Sequence, residues 1–159
     1  MSDRTRIVFV VGALAVVHLL LHVGFSYERG APDLLTLGLL FASREVGVAR
    51  ASALGLFFGL LEDALSVLAF GANSVAMTII AIAGALTRDL FVGDSRLFLV
   101  LYLLIGKWVR DLVHWVAVGE GLRQPFVEQV LIDGGIASVY VALVGILVAG
   151  LTGIGQEAA

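Results

Sequence analysis

The stretch KWVRDLVHW, Lys107–Trp115, places charged side chains inside a run of otherwise apolar residues. Its polar members fall at positions i, i+3, i+4 and i+7, which form one face of a helix. An ionised group at the centre of a bilayer costs at least about 2.5 kcal/mol on insertion scales, so this face must point to the protein interior, a partner or water. Residues four apart are neighbours on a helix, which allows two contacts here. These are Lys107 with Asp111, and Arg110 with His114.

The composition around this stretch is that of a membrane protein. The chain has 159 residues, 60% hydrophobic and 14% charged, and a mean hydropathy of +1.03, whereas about a quarter of the residues in a soluble domain are charged. We therefore predict an all-α integral membrane protein. The net charge of −3 without a basic block argues against nucleic acid as a partner. The absence of cysteine excludes disulfides and thiolate metal sites.

Apolar segments predict about six transmembrane helices in one bundle, because about 20 apolar residues span the hydrocarbon core. We predict a single polytopic domain, residues 1–159, in which the first segment is retained as a helix and not cleaved as a signal peptide. The second segment is ambiguous: it either continues past Arg44 and Glu45 or remains a half-helix packed within protein. The segments are residues 7–25, 33–48, 49–70, 73–88, 97–118 and 136–154.

The distribution of arginine predicts the orientation. With six spans and both termini in the cytoplasm, six arginines lie inside and two outside, as the positive-inside rule requires. The inner set is Arg4, Arg6, Arg44, Arg50, Arg88 and Arg96, and the outer set is Arg29 and Arg123.

Small residues recur every fourth position in two segments. The third segment carries Ala51, Gly55 and Gly59, and the next position in that series is Asp63. Membrane helices approach closely through such residues, so the series predict helix packing, with an interface for a partner as the alternative. The series in the sixth segment is Gly145, Ala149 and Gly153.

Matching depth in the bilayer suggests one interior polar cluster. The third segment brings Glu62 and Asp63 to the depth of Arg110, and we expect Arg110 to pair with one of these acids. His18 and His22 lie at a similar depth in the first segment. The cluster is either a salt-bridge network that fixes helix register, a surface recognised by another membrane protein, or a path for an ion or solute.

Dedicated chemistry is not predicted at these positions. The two histidines are four residues apart but lack the acid of HExxH and a local third ligand, so we predict no metal site. No spacing couples a nucleophile to a base, and no cofactor is expected. Asp33, which opens an apolar segment after a proline, is explained by helix capping.

Three short motifs between residues 32 and 88 resemble the rod shape-determining protein MreD family. They are PDLL at 32–35, GLFFGLLED at 55–63 and FGANSVAMT at 70–78. The family pattern has an acid after a stretch rich in glycine and leucine, then a glycine and a polar residue before the next helix. The positions that carry it here include Pro32, Asp33, Gly71 and Asn73.

The resemblance implies a bacterial inner-membrane component of the cell-elongation (rod) complex, which directs lateral peptidoglycan synthesis and cell shape. It implies no enzymatic activity. The implied partners are MreC, a single-span membrane protein, together with MreB, the elongation cell-wall synthase and membrane lipid. The implied fold is similar to the substrate-binding component of energy-coupling-factor transporters, which keeps a small-solute-binding or transport component as the alternative function.

Overall fold

Residues 3–25, 33–66, 69–88 and 96–154 are described by a computed structural model, and all regular structure within these ranges is helical. Pro32 lies outside the described residues. A 3₁₀ turn, Glu120–Leu122, and a π-helical segment, Val127–Asp133, precede the last helix. The α-helices are α1 (Asp3–Phe25), α2 (Leu34–Glu45), α3 (Val48–Leu65), α4 (Ala72–Thr87), α5 (Arg96–Ala117) and α6 (Gly134–Thr152).

Two stretches are long and apolar enough to cross a membrane, Arg4–His22 and Val127–Thr152. Helices α3 and α5 have sufficient length, but each carries at least three charged residues. Helices α2 and α4 are only 12 and 16 residues long. The charged residues of α3 and α5, which include those predicted to face the protein interior, therefore interrupt the apolar pattern of these two helices.

Helix α2 occupies the centre of the fold. All residues from Leu34 to Ser43 are buried, and α2 contacts each of the other five α-helices. A helix that is apolar on every side is either buried in a protein core or spans a membrane, and the contacts of α2 with five helices place it in the core. It ends at Glu45, where Val46 and Gly47 adopt extended backbone conformations before α3 begins. The second segment is thus a buried half-helix, about 18 Å long at 1.5 Å per residue, and does not continue to residue 48.

The small-residue series of α3 packs against α4. A Cβ atom added to Gly55 would lie 2.6 Å from the Met77 carbonyl oxygen, and one added to Gly59 would lie 2.7 Å from the Asn73 carbonyl oxygen. Ala51 has no exposed surface. Backbones this close leave no room for a side chain or for another helix. Of the two alternatives for this series, internal helix packing is the one present in the structure.

The series in α6 packs against α5 and α2 and then ends the helix. A Cβ atom added to Gly145 would lie 3.0 Å from Leu37 Cδ1, so this glycine admits the neighbouring leucine. Ala149 is also buried. Gly153 has a left-handed conformation (φ 69°) and its N–H donates to the Ala149 carbonyl, as at many helix C-termini. The third member of the series is thus the cap of α6.

Helical structure leads into α6 from Phe126, whereas the predicted sixth segment begins only at residue 136. Phe126 follows Pro125 directly and leads into the π-helical segment, Val127–Asp133. Proline favours the start of a helix because its missing N–H has no role there. The Trp108 indole N–H on α5 donates to the Val130 carbonyl at 3.0 Å. This hydrogen bond ties the π-helical segment to the helix that carries the central charges.

Candidate functional site

The candidate site is a buried polar cluster built from five helices. Its members come from α1, the start of α2, the end of α3, the start of α4, and α5. They are linked by ion pairs and hydrogen bonds. The polar cluster consists of His18, Asp33, Glu62, Asn73, Lys107, Arg110 and Asp111.

Arg110 is the most connected member. Only 8% of the residue is exposed. Its Nη2 contacts Glu62 Oε2 and donates to Asn73 Oδ1 at 2.7 Å, while its Nη1 donates to Asp111 at 3.1 Å. The expected pair between Arg110 and Glu62 is therefore present. A planar guanidinium with five donors suits such a junction, because one side chain can join several acceptors on different helices.

Lys107 extends the network to the start of α2. It contacts Asp111 on its own helix, as the four-residue spacing allows, and lies 3.3 Å from Asp33 Oδ2. Asp33 also caps α2: its Oδ1 accepts from the Thr36 N–H at 2.9 Å and its Oδ2 from the Thr36 hydroxyl at 2.6 Å. Capping explains only part of the role of Asp33, because its carboxylate also faces Lys107 and Arg110 of α5.

Asp63 has a separate role next to the cluster. Its carboxylate accepts hydrogen bonds from the backbone N–H groups of Asn73 and Ser74 at 3.1 and 3.0 Å, and from the Ser74 hydroxyl at 2.5 Å. The two N–H groups belong to the first turn of α4, whose N–H groups have no acceptor within the helix. Gly71 has φ +96° and no capping side chain. Asp63, fully buried, therefore caps α4 from the neighbouring helix.

The three histidines occupy different positions. His18 Nε2 lies 3.8 Å from Glu62 Oε1, at the edge of the cluster. His22 is exposed and stacks on His18 with 5.6 Å between ring centroids. His114 is partly buried on α5. No hydrogen bond between described residues joins it to Arg110, whose guanidinium is directed to Glu62, Asp111 and Asn73 instead.

The members of the cluster share one depth. Three members, His18, Glu62 and Arg110, each lie 14 residues along the chain from the arginine-rich end of the bundle. This separation is about 21 Å along a helix. Asn73 lies 14 residues before Thr87, the last residue of α4, and Asp33 lies 12 residues before Glu45. The cluster therefore lies about 21 Å from the arginine-rich end of the bundle, and α2 and α4 both begin beside it. The three pairs are Arg4 and His18, Val48 and Glu62, and Arg96 and Arg110.

A metal ion is a poor fit to this geometry. Ligand atoms of His18, Asp33 and Glu62 lie within 4.8 Å of one another. The same carboxylates contact Arg110 and Lys107, however. A divalent cation placed among them would be close to two fixed positive charges and would have to displace existing ion pairs. The donor set is that of an ion-pair network.

Two members were missed by sequence reasoning as parts of the cluster. Asp33 was assigned to helix capping and to a family motif, and Asn73 only to a family motif. The signal for both was available: each opens a short apolar segment that cannot cross the membrane by itself. A short helix that begins at mid-depth places its first polar residue beside any other buried charge.

The comparisons with known proteins agree with the motifs. The family model for rod shape-determining protein MreD matches residues 3–144, which include all the helices that contribute to the polar cluster. No curated protein and no solved structure matches the chain. Because the family model spans most of the sequence, the chain belongs to the MreD family of rod shape-determining membrane proteins.

Proposed function

We propose that this protein is a non-enzymatic inner-membrane component of the bacterial cell-elongation complex. In this role it binds MreC and helps to organise lateral peptidoglycan synthesis, with MreB and the elongation cell-wall synthase in the same assembly. The observation that carries the proposal is the family match over residues 3–144. The structure adds a buried network of paired charges, which suits a rigid scaffold better than a reaction centre.

The proposed topology is one bundle, residues 1–159, with both termini in the cytoplasm. Six helices cross or enter the membrane, in an arrangement similar to the substrate-binding component of energy-coupling-factor transporters. The positive-inside distribution of arginine supports it. Since the chain contains no cysteine, single-cysteine variants give a direct test. A membrane-impermeant maleimide should label Glu120→Cys from outside intact cells and leave Arg96→Cys unlabelled, and the opposite pattern would reverse the topology.

In this proposal the polar cluster fixes the helices relative to one another. Arg110 joins α3, α4 and α5, and Lys107 joins α5 to the start of α2. Lipid removes the hydrophobic drive between membrane helices, so polar contacts and close packing define their register. The rest of the complex would then bind a preformed surface.

For MreC we propose the exposed face of α6 and the π-helical segment, which we call the α6 groove. It is an open, mostly apolar surface that follows the helix from Leu131 to Leu143, about 18 Å or roughly three turns. The groove lies within the matched residues 3–144. A Cβ atom added to Gly135 would have no neighbour within 4 Å, so a partner helix could approach its backbone closely. The α3 series is unsuitable because α4 covers it.

Co-purification tests this site with a matched pair of variants. Gly135→Leu fills the α6 groove, while Gly12→Leu adds the same side chain at an equally open glycine on α1. In detergent extracts of cells with tagged MreC, Gly135→Leu should reduce recovery of MreC at least fivefold, and Gly12→Leu should leave it unchanged. Equal recovery of MreC with the two variants, when unfolding curves show that both are folded, would exclude the α6 groove as the binding site.

A small-solute-binding or transport component is the second candidate. One observation favours it: α2 and α4 begin at mid-depth, and in many transporters such helix N-termini face an anionic substrate. Here the two N-termini are occupied by Asp33 and Asp63. A substrate anion would have to displace these carboxylates. Detection by native mass spectrometry of a small molecule that dissociates on Arg110→Gln substitution would favour this candidate over the scaffold.

A further inference from the structure

A second cavity lies at the arginine-rich end of the bundle, far from the polar cluster. It encloses about 490 Å³ between α1, the end of α2, the start of α3 and the end of α4. Among the residues that the structure describes, its basic lining residues are Arg4, Arg50 and Arg88, and its acidic one is Glu45. Arg4 and Arg50 thus bring two positive charges to the described wall, against the one carboxylate of Glu45. An uncharged or cationic ligand would not need this arrangement.

The remaining walls are apolar. Ile7, Val11 and Leu54 belong to them. Along α1 the lining extends from Arg4 to Gly12, a distance of about 12 Å. The cavity is therefore basic at the end of the bundle and apolar towards the membrane interior. Gly12 faces open space, since an added Cβ atom would have no neighbour within 4 Å.

We infer that this cavity binds an anionic phospholipid of the cytoplasmic leaflet, with the phosphate headgroup between Arg4 and Arg50 and an acyl chain along Val11 and Gly12. Basic pockets between transmembrane helices on the cytoplasmic side have the chemistry to hold acidic headgroups. The start of α3 adds to the attraction, because Gly47 provides no capping side chain and helix N-termini favour anions. This inference rests on the proposed topology, which puts the arginine-rich end of the bundle in the cytoplasm, and does not depend on MreC.

The experiment is a lipid titration of the full chain in detergent, followed by native mass spectrometry. The probes are dioleoylphosphatidylglycerol and dioleoylphosphatidylcholine, which share acyl chains and differ in headgroup charge. We expect at least tenfold tighter binding of the first lipid. Equal affinity for the two lipids would overturn the inference, and so would displacement of the lipid by millimolar inorganic phosphate with no dependence on the acyl chains.

Variants separate the headgroup from the acyl chain. A basic residue near a membrane surface contributes about 1 kcal/mol, so Arg50→Gln should weaken binding about fivefold. Gly12→Leu, which occupies the space of about two methylenes at about 0.8 kcal/mol each, should weaken it about tenfold. Arg96→Gln removes the same charge outside the cavity, and Gly135→Leu adds the same side chain on α6. Both controls should bind like the wild type.

Gly12, Arg50 and Arg96 are exposed. Gly135 is partly buried, but a Cβ atom added to it would have no neighbour within 4 Å. Folding should therefore be unaffected, and thermal unfolding of each variant in lipid-free detergent checks this. Wild-type affinity of folded Arg50→Gln and Gly12→Leu would refute the site. Gly12→Leu is the control for the MreC site, and Gly135→Leu is the control for the lipid site. Failure of the lipid proposal and failure of the MreC proposal therefore give different results.

Discussion

Replacement of Arg110 by glutamine tests whether the polar cluster holds the bundle together. The guanidinium is buried and contacts Glu62, Asn73 and Asp111. Its removal leaves Glu62 with the His18 imidazole, 3.8 Å away, and Asp111 with Lys107 as their basic neighbours among the described residues. Breaking a buried ion pair by removing one partner costs about 3–5 kcal/mol, because the other charge stays buried and uncompensated. We expect Arg110→Gln to lower the free energy of unfolding by this amount.

A double-mutant cycle isolates the pair. Glu62→Gln alone should cost about 1.5–3 kcal/mol, the range for a hydrogen bond to a charged group, since Arg110 retains Asp111 and Asn73. The double variant Glu62→Gln/Arg110→Gln carries two neutral amides and no longer leaves Glu62 unpaired. Its destabilisation should be smaller than the sum of the single changes by at least about 2 kcal/mol, within the range for residues in one network.

The assay is equilibrium unfolding of the purified chain in mixed micelles, by titration with sodium dodecyl sulfate and detection of tryptophan fluorescence. Trp108 and Trp115 both lie on α5, so the signal reports on the helix that carries Arg110. Arg96→Gln is the matched control, because Arg96 is exposed and its replacement should change stability by no more than about 0.5 kcal/mol. An Arg110→Gln effect below about 1 kcal/mol, or strict additivity in the cycle, would refute the argument.

Three further predictions use the same unfolding titration. Asp63→Ala should cost about 2–3 kcal/mol, because buried donors at the start of α4 lose their acceptor, and Asp63→Asn should cost less; equal stability of both variants would contradict the capping role. Gly59→Ala should cost about 1–3 kcal/mol through overlap with the α4 backbone, whereas Gly12→Ala should be neutral or stabilising by up to about 1 kcal/mol, and a reversed order would exclude close packing at Gly59. Trp108→Phe should cost about 1–2 kcal/mol, since the Val130 carbonyl loses its donor; an unchanged value would mean that water replaces the indole.

The positions of the helices were largely predictable because apolar runs and their interruptions are written directly in the sequence. The end of α2 was not, since Arg44 and Glu45 can either close a half-helix or continue at an interface. Burial of α2 on all sides decides between these, and burial depends on the other helices. The predicted start of the sixth segment, residue 136, was also too late. The prediction followed the apolar pattern, whereas in the structure helical backbone begins directly after Pro125.

The partner of each acid was harder to predict than the presence of a cluster. Glu62 and Asp63 are adjacent, so their side chains point about 100° apart on α3. Asp63 continues the series of Gly55 and Gly59 and therefore faces α4, whose N-terminus it caps. Glu62 faces α5 and Arg110. The series predicted that Asp63 would be packed, but not that the neighbouring helix would begin at that level.

The number of acids in this region follows from the helices that begin there. Asp33, Glu62, Asp63 and Asp111 outnumber Lys107 and Arg110 by two. Each helix N-terminus carries about half a positive charge, and Asp33 and Asp63 cap the two short helices, so α2 and α4 together supply about one positive charge. The His18 imidazole lies beside these acids, 3.8 Å from Glu62 Oε1. The N-termini of α2 and α4 thus account for the positions of two of the four acids, Asp33 and Asp63.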